Sequence, residues 1–268
     1  MRVKHCSTRN KSLGQNFLTD AALLDQLVEL SGVTASDAVL EIGAGLGGLT
    51  VALAKRARRV LAVEIDRSLE RELRAAVSLY PHVEIRIMDG MALDWPAWIN
   101  AAGRPIWFLS NLPYCMTTPL LLRSFRMDPP FDGVACMMQE EVARRLCASP
   151  GGEGYGPLSV WSRARFTPRV VLDVPARMFD PPPEVDSCFV VCSALDEPML
   201  TPGDYARFGR VVDAAFAARR KTLRNNLRAG FGMTSGQAGV LLEKVGLDER
   251  VRAEDVSPAQ FVGIMGLI

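Results

Sequence analysis

Asn111 and Tyr114 fall within the short run Ser110-Asn111-Leu112-Pro113-Tyr114, and between them they offer what is needed to hold a planar base that carries an exocyclic amine. The Asn amide brings one acceptor and two donors, and the Tyr ring brings a flat face. The amide oxygen can orient the amine while the ring stacks on the base. The same letters also make an ordinary turn. Two carboxylates stand at comparable points of the chain. Glu64 ends the apolar run Val60-Leu61-Ala62-Val63, and Asp89 ends the alternating run Val83-Glu84-Ile85-Arg86-Ile87-Met88. An acid about twenty residues after a glycine turn is placed to bind ribose hydroxyls. An acid at the next strand end can accept from an adenine amine. The glycine turn itself is Gly43-Ala44-Gly45-Leu46-Gly47-Gly48. Because Gly43, Gly45 and Gly48 also satisfy the dinucleotide fingerprint, a nicotinamide or flavin protein remains open on the glycines alone.

These residues need elements that bring them together. Residues 38–42 read as a buried strand, followed by the glycine turn and a helix over 49–56. Ile106-Trp107-Phe108-Leu109 is long enough only for a buried strand, and Pro113 must end it. Four successive strands therefore end in the glycine turn, Glu64, Asp89 and Asn111. Parallel strands place such ends on one rim, so the four features converge on one cleft. Upstream, Asp20 reads as the N-cap of a helix over 21–30. Gly151, Gly152, Gly154 and Gly156 flank Tyr155 in a loop read either as a mobile one that lets RNA enter or cofactor exchange, or as a simple surface connection. After the apolar strand at 188–192, Asp196-Glu197-Pro198 reads as a linker into a helical region. There Thr201 to Asp204 resembles a capping box with Pro202 at the first helical position, and Phe208, Val211, Val212, Ala215 and Phe216 form an apolar stripe. Thr234 with Gln237, and Ser257 with Gln260, mark two further helix starts.

The chain has 268 residues, 49% of them hydrophobic and 23% charged, enough for one sizeable core plus a small second domain. A formal net charge of +1 excludes a uniformly basic nucleic-acid binder, so any grip on phosphate must come from local clusters. One is the tail 1–19, with Arg2, Lys4, Arg9 and Lys11 and no acid before Asp20. The other concentrates Arg219, Arg220, Lys221, Arg224 and Arg228, read either as a solvated face or as a contact for RNA phosphates. The cysteines contain no CxxC pair and mostly lie in apolar segments, which points to a reducing cytoplasm and no zinc. The longest uncharged stretch, 105–122, is broken by Asn and prolines, so no membrane span is expected, and no apolar signal core precedes it.

The stretches GQNFLTD (14–20), LEIGAGLGGLT (40–50), VEID (63–66), SNLPY (110–114), YGPLSV (155–160), FDPPPEVDS (179–187) and AFAARRKTLRNNL (215–227) resemble the S-adenosylmethionine-dependent rRNA adenine dimethyltransferases. The likeness runs nearly end to end. The last two stretches favour the branch that acts on the small subunit over the branch that acts on the large one.

The resemblance implies a Rossmann-like α/β fold with a seven-stranded methyltransferase sheet, spanning residues 1–196, and a small all-helical RNA-binding domain over 197–268. It implies S-adenosylmethionine as cofactor, contacted by Asn16, Leu18, Gly43, Gly45, Glu64, Asp89 and Asn111, with Glu64 on the ribose and Asp89 near the adenine amine. Asn111 and the Leu112 carbonyl would accept the two hydrogens of the target amine while Tyr114 stacks on the flipped base. Phe179, held by the following prolines, is either the opposite face of that stack or plain core. The expected substrate is a pair of adjacent adenosines near the 3′ end of small-subunit rRNA, reached in a pre-ribosomal small subunit by a cytoplasmic monomer. A ribosome-assembly factor whose methylation is secondary is the reading from another class. Two positions depart from the family pattern, the Gly90-Met91 pair after Asp89 and Glu184 in the proline-rich stretch.

Overall fold

The structure is a computed structural model and describes residues 16–268. Cys6 and the basic residues Arg2, Lys4, Arg9 and Lys11 lie outside the described residues. In chain order the elements are β1 (Phe17–Leu18), α1 (Ala21–Ser31), β2 (Ala38–Ile42), α2 (Gly48–Ala54), β3 (Arg59–Glu64), α3 (Glu70–Ala76) and β4 (Val83–Ile87). Next come α4 (Trp95–Ala102), β5 (Ile106–Asn111), α5 (Thr117–Phe125), β6 (Gly133–Gln139), α6 (Glu140–Cys147), α7 (Pro157–Arg163) and β7 (Phe166–Val174). The chain closes with β8 (Phe179–Asp180), β9 (Ser187–Ala194), α8 (Tyr205–Ala215), α9 (Leu223–Phe231), α10 (Ser235–Lys244) and α11 (Pro258–Leu267).

Seven strands form one sheet in the order β4-β3-β2-β5-β6-β9-β7, with β1 and β8 paired separately. Strands β4 to β6 run parallel, and β9 lies antiparallel to both of its neighbours. Buried strands covered on both faces explain the continuous apolar runs, Ala38–Ile42 being buried throughout. Alternate residues of β5 serve opposite faces. Ile106 and Phe108 join the cluster containing Trp95, Phe125 and Trp161, whereas Leu109 joins the one formed with Leu24, Leu27 and Leu53.

The strand order reverses between β2 and β5, the place where open α/β sheets form a ligand crevice. The β2–β5 ladder stops at Leu40 and Phe108, so the two strands splay beyond it. The Ile42 N–H left over by that parting donates to the Ser110 hydroxyl at 2.9 Å. One buried Ser in an apolar strand thus satisfies a backbone donor and holds the crevice open at a defined width.

Helix signals read from the sequence match closely at most ends. Asp20 caps α1 through its Oδ1, and Thr234–Gln237 and Ser257–Gln260 form reciprocal capping boxes. Thr201 and Pro202 differ, because α8 starts only at Tyr205. Thr201 donates from both N and Oγ1 to Asp204 Oδ2, at 2.8 and 2.6 Å, closing a turn before the helix. Gly203, at φ +92°, keeps that turn from becoming helical.

The helical region is not insulated from the sheet at residues 196–198. Phe208, Val212, Leu227 and Phe261 belong to the same buried cluster as Trp95, Phe108 and Trp161. Trp161 meets Phe208 edge-on with ring centres 4.9 Å apart, and Arg126 pairs with Asp213 at 2.6 Å. The glycine-flanked loop is also tied down, since the Tyr155 hydroxyl donates to the Val256 carbonyl at 2.8 Å. That contact supports the connecting role for the loop.

Candidate active site

The glycine turn crosses the end of β3, where Gly43 N and Ala44 N donate to the Val63 carbonyl at 2.8 and 3.2 Å. Gly45 holds φ +57°, and a Cβ there would stand 2.7 Å from the Phe17 ring. Both the backbone angle and the packing therefore require glycine. Glu64 is buried, and each of its oxygens takes one backbone N–H. Gly45 donates to Oε2 and Asp66 to Oε1, both at 2.8 Å. Its first role is thus to fix the glycine turn against the next strand end, and the carboxylate keeps lone pairs for a ligand hydroxyl.

A cleft forms where these ends meet. It is lined by Asn16, Phe17, Gly43, Gly45, Glu64, Asp89, Asn111, Leu112 and Tyr114, together with the apolar Ile42, Ile65, Met88, Met91 and Met116. The four strand-end features singled out in the sequence therefore share one site. Asp89 is exposed on its lip, with Oδ1 accepting from Met91 N at 2.8 Å. Asn111 donates from Nδ2 to the Asn16 carbonyl at 3.3 Å. That contact fixes the amide so that its oxygen is the atom left to accept from a ligand amine. Leu112 N donates to the Met137 carbonyl at 3.3 Å, which anchors the peptide that turns into Pro113.

The Tyr114 hydroxyl is hydrogen-bonded to Ser187 Oγ at 2.8 Å. Burial pushes its phenol above the usual range while the Ser187 contact pulls the other way, so Tyr114 remains a neutral ring of fixed plane. Below the turn, Glu41 is 1% exposed and accepts from Thr50 Oγ1 at 2.7 Å. Desolvation, with a smaller push from the Glu64 charge, raises its carboxyl to about 8, so it is protonated at neutral pH.

Three expected site residues lie elsewhere. Phe179 is 3% exposed and packs in the cluster with Leu24, Leu27 and Phe189, outside the cleft lining. It pairs with Leu18 in the β1–β8 ladder, and Leu18 is likewise core. Both residues act by laying Asn16 and Phe17 across the cleft, not by lining it. Arg224 is half-buried, and its guanidinium is taken by Glu249 and by the Ser235 carbonyl. Arg219, Arg220, Lys221 and Arg228 are exposed. Sequence reasoning passed over Phe17, whose aromatic type reads as core, and Ser110, hidden in an apolar strand. Among the described residues no His, Cys, Asp or Glu group is arranged to hold a metal ion, and no helix is long and apolar enough to cross a membrane.

The strand order, with a glycine turn, two acids and an Asn-Leu-Pro-Tyr segment at adjoining strand ends, defines a Rossmann-like methyltransferase. The chain belongs to the ribosomal RNA adenine dimethylase family, whose sequence model matches residues 6–268. A protein of Shouchella clausii called ribosomal RNA small subunit methyltransferase A is 39% identical over 263 residues, covering 96% of this chain and 89% of that one. The protein of the same name from Magnetococcus marinus is 39% identical over 258 residues, covering 96% and 91%. Among solved structures, a dimethyladenosine transferase from Plasmodium falciparum superposes with a TM-score of 0.77 at 24% identity, covering 92% of this chain and 95% of that one. The 23S rRNA methyltransferase ErmE gives 0.69 at 26% identity, covering 94% and 98%.

Proposed function

We propose that the cleft binds S-adenosylmethionine and that the chain methylates, twice each, the N6 amines of two adjacent adenosines near the 3′ end of small-subunit rRNA. The chemistry of the lining fits the cofactor: a carboxylate at the ribose position, a second at the adenine position, and methionines and isoleucines for the apolar parts. When bound, the cofactor supplies a methyl group on an already activated sulfonium. The target amine is a poor nucleophile because its lone pair is delocalised into the ring. The protein must therefore orient it. Asn111 Oδ1 and the Leu112 carbonyl accept the two amine hydrogens and turn the lone pair out of the ring plane. Tyr114 holds the base by stacking. No side chain is needed as a base, since the alkylated ammonium is acidic enough to lose its proton to water.

The observation that carries this reading is the fixed Asn111 amide, its nitrogen bound to Asn16 and its oxygen left to accept, on a residue lining a cleft that also holds Asp89 and Glu64. The small-subunit target is supported by the relatives at 39% identity, which bear that name. A second groove leads from the end of β6 to the helical region, and its wall is of mixed charge, with Arg144, Arg145 and Arg219 beside Glu140, Glu141, Glu153 and Glu254. The exposed cations Arg219, Arg220, Lys221 and Arg228 of the helical region supply the phosphate contacts. The reading places the protein in the cytoplasm as a monomer on pre-ribosomal subunits.

The test is transfer of label from tritiated cofactor to isolated small subunits, with S-adenosylhomocysteine affinity measured beside it. Asn111→Ala should lower transfer roughly a hundredfold or more while the cofactor still binds. Unchanged transfer overturns the assignment. Label entering only large-subunit RNA selects the other substrate branch, and subunit binding without transfer selects an assembly factor.

A further inference from the structure

The loop that carries Asp89 leaves the rim of the sheet and runs to α4, and its carbonyls are gathered by one side chain from a different element. Arg123, on α5, donates through Nη2 to the Leu93 carbonyl at 2.7 Å and through Nη1 to the Met91 carbonyl, with the Gly90 carbonyl 3.5 Å from the same nitrogen. Its Cζ lies 4.6 Å from the centre of the Trp95 ring, and that indole Nε1 donates to the Gly90 carbonyl at 2.9 Å. On the other side Gly90 packs so closely that a Cβ would stand 2.5 Å from Ile42 Cγ2. The departure at Gly90-Met91 noted in the sequence therefore has a physical reason. The loop is pressed onto β2 from one side and clamped by a cation from the other.

Asp89 is held within the same unit, because its Oδ1 takes the Met91 N–H while Arg123 takes the Met91 carbonyl. Desolvation in its half-buried place lowers the pKa of the guanidinium, the Asp89 and Asp94 charges pull the other way, and Arg123 stays ionised. Helix α5 begins at Thr117, one short turn after Asn111-Leu112-Pro113, and Arg123 sits in its last turn. One rigid element thus bears the base-orienting segment at its start and the loop clamp at its end.

We propose that Arg123 is a positioning residue that sets Asp89 for recognition of the cofactor's adenine and couples that loop to the segment holding the target base. The proposal rests on the reading of Asp89 as acceptor for the adenine amine. A planar fork of donors can serve several carbonyls at once, which a lysine ammonium cannot do with the same geometry. Arg123 lies outside the cleft lining, so it acts only through the loop.

The test compares binding of S-adenosylhomocysteine and S-inosylhomocysteine to the full-length protein by calorimetry, alongside steady-state methylation of small subunits. Wild type should favour the adenine form, since an inosine carbonyl would face the Asp89 carboxylate. Arg123→Met should weaken S-adenosylhomocysteine about tenfold, the factor that corresponds to losing one hydrogen bond of this strength. It should barely affect the inosine form, so the preference shrinks, and KM for the cofactor should rise more than kcat falls. Arg123→Lys should recover part of the preference, and it guards against an Arg123→Met chain that fails to fold. A preference kept intact in Arg123→Met, whether affinity is unchanged or falls equally for both ligands, overturns the positioning role. Equal binding of both ligands to wild type overturns the reading of Asp89 itself.

Discussion

Glu41→Gln isolates one buried proton. Glu41 sits at the fourth position of β2, 1% exposed, with Thr50 donating to it and the Glu64 charge nearby. Its carboxyl ordinarily titrates at 4.5 and is raised to about 8 in the folded chain. Between those values the native state keeps a proton that the unfolded chain has lost, so stability falls as pH rises. The contribution is whole below pH 4.5 and is gone once the pH has passed the native value. Each pH step through the window removes about 1.4 kcal/mol, and the whole window on the order of 5 kcal/mol. Glutamine has nearly the same shape, can still accept from Thr50, and carries no proton to lose. Urea unfolding of both proteins at pH 6, 7 and 8 should therefore show the variant gaining about 2–3 kcal/mol on wild type across that range, with unchanged m-values. Parallel stability curves would mean that Glu41 is ionised in the native state, and the desolvation argument would be wrong.

Further outcomes follow from the other contacts. Tyr114→Phe keeps the ring and loses the Ser187 bond, so methylation should fall only about three- to tenfold, whereas Tyr114→Ala should cost up to about a hundredfold through lost stacking, both read from initial rates. Gly45→Ala places a Cβ 2.7 Å from Phe17 at φ +57°, and should lower cofactor affinity in calorimetry and stability by about 1–2 kcal/mol in urea melts. Replacing Arg219, Arg220 and Lys221 together by Ala should flatten the salt dependence of subunit binding by about two units of log–log slope. Arg224→Ala, whose guanidinium is already paired with Glu249, should change that slope far less.

Much of this site was legible because its members end elements that announce themselves. Glu64 and Asn111 follow apolar runs of strand length and Asp89 an alternating one, and once parallel pairing is granted their convergence is a consequence of topology. What stayed hidden depends on partners distant in the chain. Phe17 is an aromatic in a two-residue strand, and only its pairing with β8 decides that the ring turns to the cleft while Leu18 turns to the core. Phe179 carries the same ambiguity and resolves the other way, into the cluster with Leu24 and Leu27. In the basic run Arg224 is chemically like its neighbours. Glu249, which takes it out of the exposed set, lies on another segment. Thr201 and Pro202 carried a helix-start signal with the right residues, but Asp204 spends its carboxylate on the turn before the helix.

The site residues are each held by a contact to a neighbouring segment, and this pattern bears on how the reaction is driven. Asn111 is bound to Asn16, Glu64 to Gly45, Tyr114 to Ser187, Asp89 to Met91 and through it to Arg123, while Ser110 holds the two central strands at the point where they part. A methyl transfer to a delocalised amine gains little from acid or base groups, and among the described residues the cleft lining holds no histidine or lysine. Its rate must then come from how narrowly the acceptors and the ring are confined. Confinement of that kind resides in the crosslinks as much as in the groups that touch substrate. Cutting the Ser187 or Ser110 link, by Ala substitution of residues that meet no ligand in this reading, should therefore slow transfer at saturating substrates by more than it weakens binding of either one.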